Sequence, residues 1–273
     1  METDRARLRE YYSAFSEWGR LESPAGRVEF ERALQLLDQY LPAGCRVLDI
    51  GGGPGRYAIE LARRGHRVAL ADPSPILLAQ ARERITGSDI ERQIESIDEA
   101  SAEDLRRYAA SSFDAVVAFG PFYHLLSDTE RSRAAREICR VLKSGGLAFV
   151  AVVPRLSAIA GLIERAARSP EQVTPETIRC AAETGVFKNA SSVGFQEGYH
   201  PASGEIEQLL LREGFEVLAT TSLRSIAYRL ENELRVLTGA MRVEADRLLA
   251  ALGTMPEIVA TSGHALIIAR RST

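Results

Sequence analysis

The stretch Val47-Leu48-Asp49-Ile50-Gly51-Gly52-Gly53-Pro54-Gly55 constrains this chain more than any other. It reads as a short apolar strand that carries an acidic residue and runs straight into a glycine-rich turn. Gly51, Gly53 and Gly55 lack Cβ atoms, so the turn can adopt positive φ and bring bare backbone against a ligand. A second apolar run over 68–71 ends on Asp72 and delivers a carboxylate to the same region. Such a strand belongs in an open α/β sheet, where ligands sit outside the carboxyl ends of the strands.

The rest of the pattern agrees. From 46 to about 153, short apolar runs alternate with amphipathic helical stretches, which implies a parallel sheet. Strands are expected over 46–50, 68–71, 94–97, 115–119 and 147–153. Between the last two, Ser127-x-x-Glu130 forms a capping box. Ala134, Ile138, Val141 and Leu142 supply that helix's buried stripe, and Gly145-Gly146 is expected to stop it. Residues 5–41 read as helical, broken at Pro24-Ala25-Gly26. Past an irregular stretch over 154–201, a helix is expected over 204–213, a strand over 215–221, one long helix over 225–251 and a last strand over 265–269. This divides the chain into an N-terminal helical cap (1–42), a core (43–153), a lid insert (154–201) and the remainder of the core sheet (202–273).

Composition excludes several classes. A net charge of −3, from 34 basic and 37 acidic residues, gives no electrostatic footprint for nucleic acid. The polar start Met1-Glu2-Thr3-Asp4-Arg5 lacks the apolar centre of a signal peptide, and no run approaches the ~20 apolar residues that span a bilayer. Cys45, Cys139 and Cys180 are odd in number and far apart, without metal-ligand spacing, so a reduced, cytoplasmic protein without a bound metal is expected.

The glycine turn leaves two nucleotide chemistries open. Gly53-Pro54-Gly55-Arg56-Tyr57-Ala58 satisfies G-x-G-x-x-A, the pattern of NAD(P)-dependent oxidoreductases. Against that, Asp49 lies ahead of the glycines and makes the turn D-x-G-x-G-x-G. Downstream, Phe113-Asp114-Ala115-Val116 and Arg140-Val141-Leu142-Lys143-Ser144-Gly145-Gly146 closely resemble the "FDxV … RVLKPGG" segments of class I S-adenosylmethionine-dependent methyltransferases. With the glycine turn and Asp72, the resemblance covers residues 45–153. It implies a Rossmann-like, seven-stranded, mostly parallel sheet with helices on both faces, plus N-terminal helices and helical lid inserts.

The resemblance also implies roles. Gly51, Gly53 and Gly55 would pass under S-adenosylmethionine, Asp49 would help hold its methionine end, Asp72 would bind the ribose hydroxyls, and Pro73 would lie beside the adenine. Ser101 and Ala102 would both lie at the cofactor, and Ser101 stands where many relatives carry an aspartate for the adenine amine. Its hydroxyl can accept that bond only without charge assistance, so either affinity is weaker or Glu99 or Glu103 compensates. Phe119 ends the fourth strand against the cofactor. The following Gly120-Pro121-Phe122-Tyr123-His124-Leu125 resembles the "GPLYHL" variant of a bacterial small-molecule subgroup, which makes His124 or Tyr123 the candidate for proton removal or acceptor orientation. The segment lacks the Asn/Asp-Pro-Pro-Tyr motif of nucleic-acid amine methylation and the Pro-Cys of thiolate attack, and Val153-Pro154-Arg155 lacks the Asp-Asn pair of Mg²⁺-dependent relatives.

Among the aromatic residues before the sheet, Tyr12 is expected near the sulfonium, Tyr11 and Trp18 are acceptor-side candidates, and Phe15 packs on the sheet. His200 could reach the pocket, whereas His66 and His264 read as structural. The implied activity is methyl transfer to an O, N or C nucleophile of a small molecule. An oxidoreductase, or a non-catalytic S-adenosylmethionine-binding protein, remains the alternative, and oligomeric state has no signal in the sequence.

Overall fold

The structure is a computed structural model and describes residues 3–4, 6–7, 11–12, 17–191, 193–227 and 230–273. Phe15 lies outside the described residues. The strands are β1 (Arg46–Ile50), β2 (Arg67–Asp72), β3 (Ile94–Glu99), β4 (Phe113–Ala118), β5 (Leu142–Val152), β6 (Val186–Lys188), β7 (Glu197–Tyr199), β8 (Phe215–Ser222) and β9 (Ala265–Arg271). Seven of them form one sheet in the order β3-β2-β1-β4-β5-β9-β8, and β6 and β7 make a separate antiparallel pair. Neighbours from β3 to β5 are parallel, while β9 runs antiparallel to both β5 and β8. The expected sheet is thus present.

Side-chain alternation explains the near-continuous apolar runs. Leu48, Ile50, Val116 and Ala118 face one buried cluster, with helices Asp128–Val141 and Glu205–Arg212. Val47, Val68, Leu70, Ala115 and Val117 face the other, with helices Pro24–Tyr40, Arg56–Arg63 and Pro75–Ile85. Strands covered on both faces must be apolar at successive positions. Strand order reverses between β1 and β4, so the loops leaving their carboxyl ends diverge and open a crevice.

Local punctuation explains where elements begin and end. The Ser127/Glu130 capping box is formed in both directions. Pro24 starts a helix rather than only breaking one: Ser23 caps it by accepting from the Gly26 amide. Two expectations are corrected. The helix ahead of β5 ends at Val141, not at Gly145-Gly146, because Leu142 is already extended and pairs with Phe113. The glycines instead sit inside β5, where Gly145 has φ +74° near a register shift. The single helix expected over 225–251 is divided into Glu231–Val236 and Gly239–Leu252, with a 3₁₀ turn at Ser225–Ala227. Leu237 and Thr238 are extended and Gly239 has φ +57°, so a β-branched residue next to glycine interrupts an otherwise helical apolar period. The β6–β7 pair within 154–201 carries no periodic signal over its short strands. No helix among the described residues is long and apolar enough to cross a membrane. Among them no group of three or more His, Cys, Asp or Glu could hold a metal.

Candidate active site

The crevice is an open-mouthed cavity of about 1160 Å³, counting its mouth. The glycine turn forms its floor. Gly51 and Gly53 have φ +70° and +56°, and the Gly51 and Gly52 amides both donate to Ala71 O at 2.7 and 3.2 Å, tying the turn to β2. Room is short at two of its positions: a Cβ on Gly51 would stand 2.9 Å from Pro121, and one on Gly52 2.5 Å from Asp49 Oδ2.

Two carboxyl groups face this turn. Asp72 Oδ2 accepts from the Gly53 amide at 2.9 Å and Oδ1 from the Ser74 amide at 2.8 Å, which fixes its rotamer. Burial raises its pKa to about 6, with Glu17 adding to the rise and the two amides pulling back. Asp49 is fully enclosed, and its Oδ2 has no hydrogen-bond partner. Burial, then the Asp72 charge, push it up to about 7 against the pull of the Ala58 amide.

At the end of β4, Phe119, Gly120, Pro121, Tyr123 and His124 form the facing wall. Tyr12 Oη lies 2.7 Å from His124 Nε2, and the rings meet edge-on at 5.5 Å. Burial raises Tyr12 well above its ordinary value. Burial, with a smaller effect of His200, lowers His124 to about 3. Both groups are therefore neutral at pH 7 and share one hydrogen bond whose donor is set by the imidazole tautomer. His124 Nδ1 has no hydrogen-bond partner.

Thr3, Tyr12, Glu17 and Arg20 line the cavity along with the glycine turn's own residues. Thr3 Oγ1 donates to His124 O at 2.8 Å. Arg20 is held between two acids: Nε donates to Glu17 at 2.8 Å and Nη1 to Glu29 at 3.0 Å. Glu29 in turn lies 2.8 Å from His264 Nδ1. Burial works to raise Glu29, but His264 and Arg20 hold it down to about 2.

Of the residues singled out in the sequence, Asp49, Gly51, Gly53, Asp72, Pro73, Ser101, Ala102, Phe119, Tyr12, Tyr123 and His124 line this one cavity. Gly55, Tyr11, Trp18 and His200 lie outside its lining. Gly55 turns inward at φ +84° to cap helix Arg56–Arg63, with Ala81 and Leu70 both 3.4 Å from where a Cβ would be. Tyr11 packs edge-on against Tyr12 and Phe195. Trp18 is clasped between the Arg56 and Arg84 guanidinia at 4.5 and 4.4 Å. His200 is buried in the insert, its backbone bonded to Gly185 O and Arg155 Nε.

Sequence reasoning missed Gly52, Glu17, Arg20 and the Glu29–His264 pair. Only the i,i+3 spacing of Glu17 and Arg20 was visible beforehand. Of the two acids offered in place of an acidic residue at Ser101, Glu103 is buried and lines the cavity, whereas Glu99 is exposed.

Comparison with known proteins agrees with this architecture. Residues 47–146 match the family described as "Methyltransferase domain". A ubiquinone biosynthesis O-methyltransferase of Methylobacterium sp. (strain 4-46) is 31% identical over 176 residues, 59% of this chain and 66% of that protein. A glycine/sarcosine N-methyltransferase of Parasynechococcus marenigrum is 34% identical over 143 residues, 50% of this chain and 49% of that protein. The matches thus span between 49% and 66% of these relatives' own lengths. A solved S-adenosylmethionine-dependent methyltransferase from Methanosarcina mazei shares the fold with a TM-score of 0.60 at 19% identity, over 87% of this chain and 97% of that one. Residues 47–146 thus match the methyltransferase domain family, and the chain carries the fold of a solved S-adenosylmethionine-dependent methyltransferase.

Proposed function

We propose that the protein binds S-adenosylmethionine in this cavity and transfers its methyl group to an O, N or C nucleophile of a small molecule. The observation that carries the reading is the pair of buried carboxyl groups at the glycine turn: Asp49, with an unpartnered Oδ2, and Asp72, pinned by two amides. A buried, unpartnered carboxyl oxygen is costly unless a ligand donor meets it. The residues present fit the group: Asp49 would receive the methionine ammonium and Asp72 the ribose hydroxyls. Gly51 and Gly53 would leave room for the chain between them, beside Pro73 and Phe119. Glu103, rather than Ser101, would accept from the adenine amine, with Ala102 alongside.

When bound, S-adenosylmethionine supplies an electrophilic methyl group open to in-line displacement. Tyr12, Tyr123 and His124 would stand at the acceptor end. A histidine that titrates near 3 is a weak base at neutral pH, so His124 orients Tyr12 and the acceptor more than it strips a proton. Most of the rate then comes from alignment, which supplies effective molarities of about 10⁵ M or more. In this reading residues 1–42 act as a cap, 43–153 as the donor-binding core, 154–201 as a lid over the acceptor, and 202–273 complete the sheet.

Thermal denaturation tests it. Saturating S-adenosylmethionine or S-adenosylhomocysteine is expected to raise Tm by several degrees, since ligand at about 100 times Kd stabilises by about 2.7 kcal/mol. Nicotinamide dinucleotides are expected to leave Tm unchanged, and stabilisation by these alone would overturn the reading in favour of an oxidoreductase.

A further inference from the structure

Glu17 belongs to the helical turn Glu17–Arg20, far in sequence from the glycine motif, yet it reaches over that motif. Its Cγ stands 3.7 Å from where a Cβ on Gly53 would be. The carboxylate is held in place. Arg20 Nε grips it at 2.8 Å, the same guanidinium is anchored by Glu29 at 3.0 Å, and Glu29 is anchored by His264, the residue ahead of β9. A chain of hydrogen bonds therefore runs from the residue ahead of β9 to the carboxylate over the turn.

Charge makes this placement informative. Among the described residues, the carboxyl groups lining the cavity are Glu17, Asp49, Asp72 and Glu103, against the guanidinia of Arg20 and Arg56. Arg20 is already shared with Glu29 behind it, and Arg56 stacks on Trp18 and Phe30. The described lining acids outnumber the lining bases, and like charges crowded in a buried site repel or take up protons unless a cation enters. S-adenosylmethionine carries a positive sulfur. S-adenosylhomocysteine, otherwise the same molecule, lacks that methyl group and that charge.

We propose that Glu17 is a donor-recognition residue whose fixed carboxylate makes the cavity favour the cationic S-adenosylmethionine over the neutral-sulfur product. The inference rests on the donor reading given above. It gives the cap a chemical role beyond covering the site: loss of the positive charge on transfer removes part of what holds the ligand, which favours product release.

The test measures the affinities of both compounds by calorimetry, with fluorescence of the sole tryptophan, Trp18, as an independent readout. Glu17→Gln keeps the side chain's shape, and Glu17→Asp keeps its charge. Glu17→Gln is expected to weaken S-adenosylmethionine by about fivefold or more and S-adenosylhomocysteine by less than about twofold. Glu17→Asp is expected to retain the wild-type ratio. Equal losses for the two compounds in Glu17→Gln, no loss at all, or a Glu17→Asp ratio that follows Glu17→Gln would each overturn the inference. Wild-type protein that binds neither compound would instead overturn the donor reading beneath it.

Discussion

One methyl group at Gly52 would press within 2.4 Å of Leu70 Cδ1 and 2.5 Å of Asp49 Oδ2. Gly52→Ala must therefore push the Asp49 carboxyl or the turn out of place. Overpacking of this kind costs about 1–3 kcal/mol, or a Tm lower by roughly 2–4 °C per kcal/mol for a chain of this size. Donor affinity, followed by titration, is expected to fall at least about tenfold, since 1.4 kcal/mol is a factor of ten in binding. Unchanged affinity would show that Asp49 takes no part. The D-x-G-x-G-x-G spacing made Gly51, Gly53 and Gly55 legible, because alternating glycines signal positive φ. Gly52 looks like filler between them, and Gly55, one of the signalled three, turns away to cap a helix. Contacts between remote residues leave no such trace. Nothing in local sequence ties Glu29 to His264 or brings Glu17 over Gly53, since those meetings depend on how the cap lies on the sheet.

Elements followed the same division. Strands buried on both faces and helices with a full apolar stripe were readable, as β1, β2, β4 and the capped helix Asp128–Val141 attest. The helices after β8 were not, because Gly239–Leu252 buries no residue fully and its apolar spacing continues through the break at Leu237-Thr238. The junction between the turn Glu17–Arg20 and helix Pro24–Tyr40 sets where Glu17 and Arg20 stand against the cavity. Gly26, in the first turn of helix Pro24–Tyr40, lies so close to the preceding turn that a Cβ would meet Arg20 O at 2.2 Å. Gly26→Ala is expected to shift Arg20 and Glu17 away from the cavity while leaving the sheet intact. Titration should then show weaker donor binding, with the far-ultraviolet circular dichroism of the wild type preserved. Wild-type affinity in that variant would argue that the cap does not shape the donor site.

Across the whole molecule, the two carboxyl groups at the glycine turn oppose stability to function. Their pKa values, about 7 for Asp49 and about 6 for Asp72, lie above the ~3.9 of an unfolded aspartate. The folded, ligand-free protein therefore holds these protons more tightly than the unfolded chain does. Their contribution to stability is full below about pH 4 and is lost as pH rises through 6 and 7. Glu29, held down to about 2, works in the other direction and loses its contribution as pH falls toward that value. The proposed donor site needs Asp49 and Asp72 ionised, so affinity should grow over the same interval, pH 6 to 8, in which they destabilise the empty protein. Calorimetric titration of S-adenosylmethionine into the wild type and Asp72→Ala at pH 6 and pH 8 tests the central claim most directly. The account predicts one site that is tighter at pH 8, and at least about a tenfold loss in the variant, the equivalent of 1.4 kcal/mol. No binding by the wild type, or equal affinity in Asp72→Ala, would contradict it.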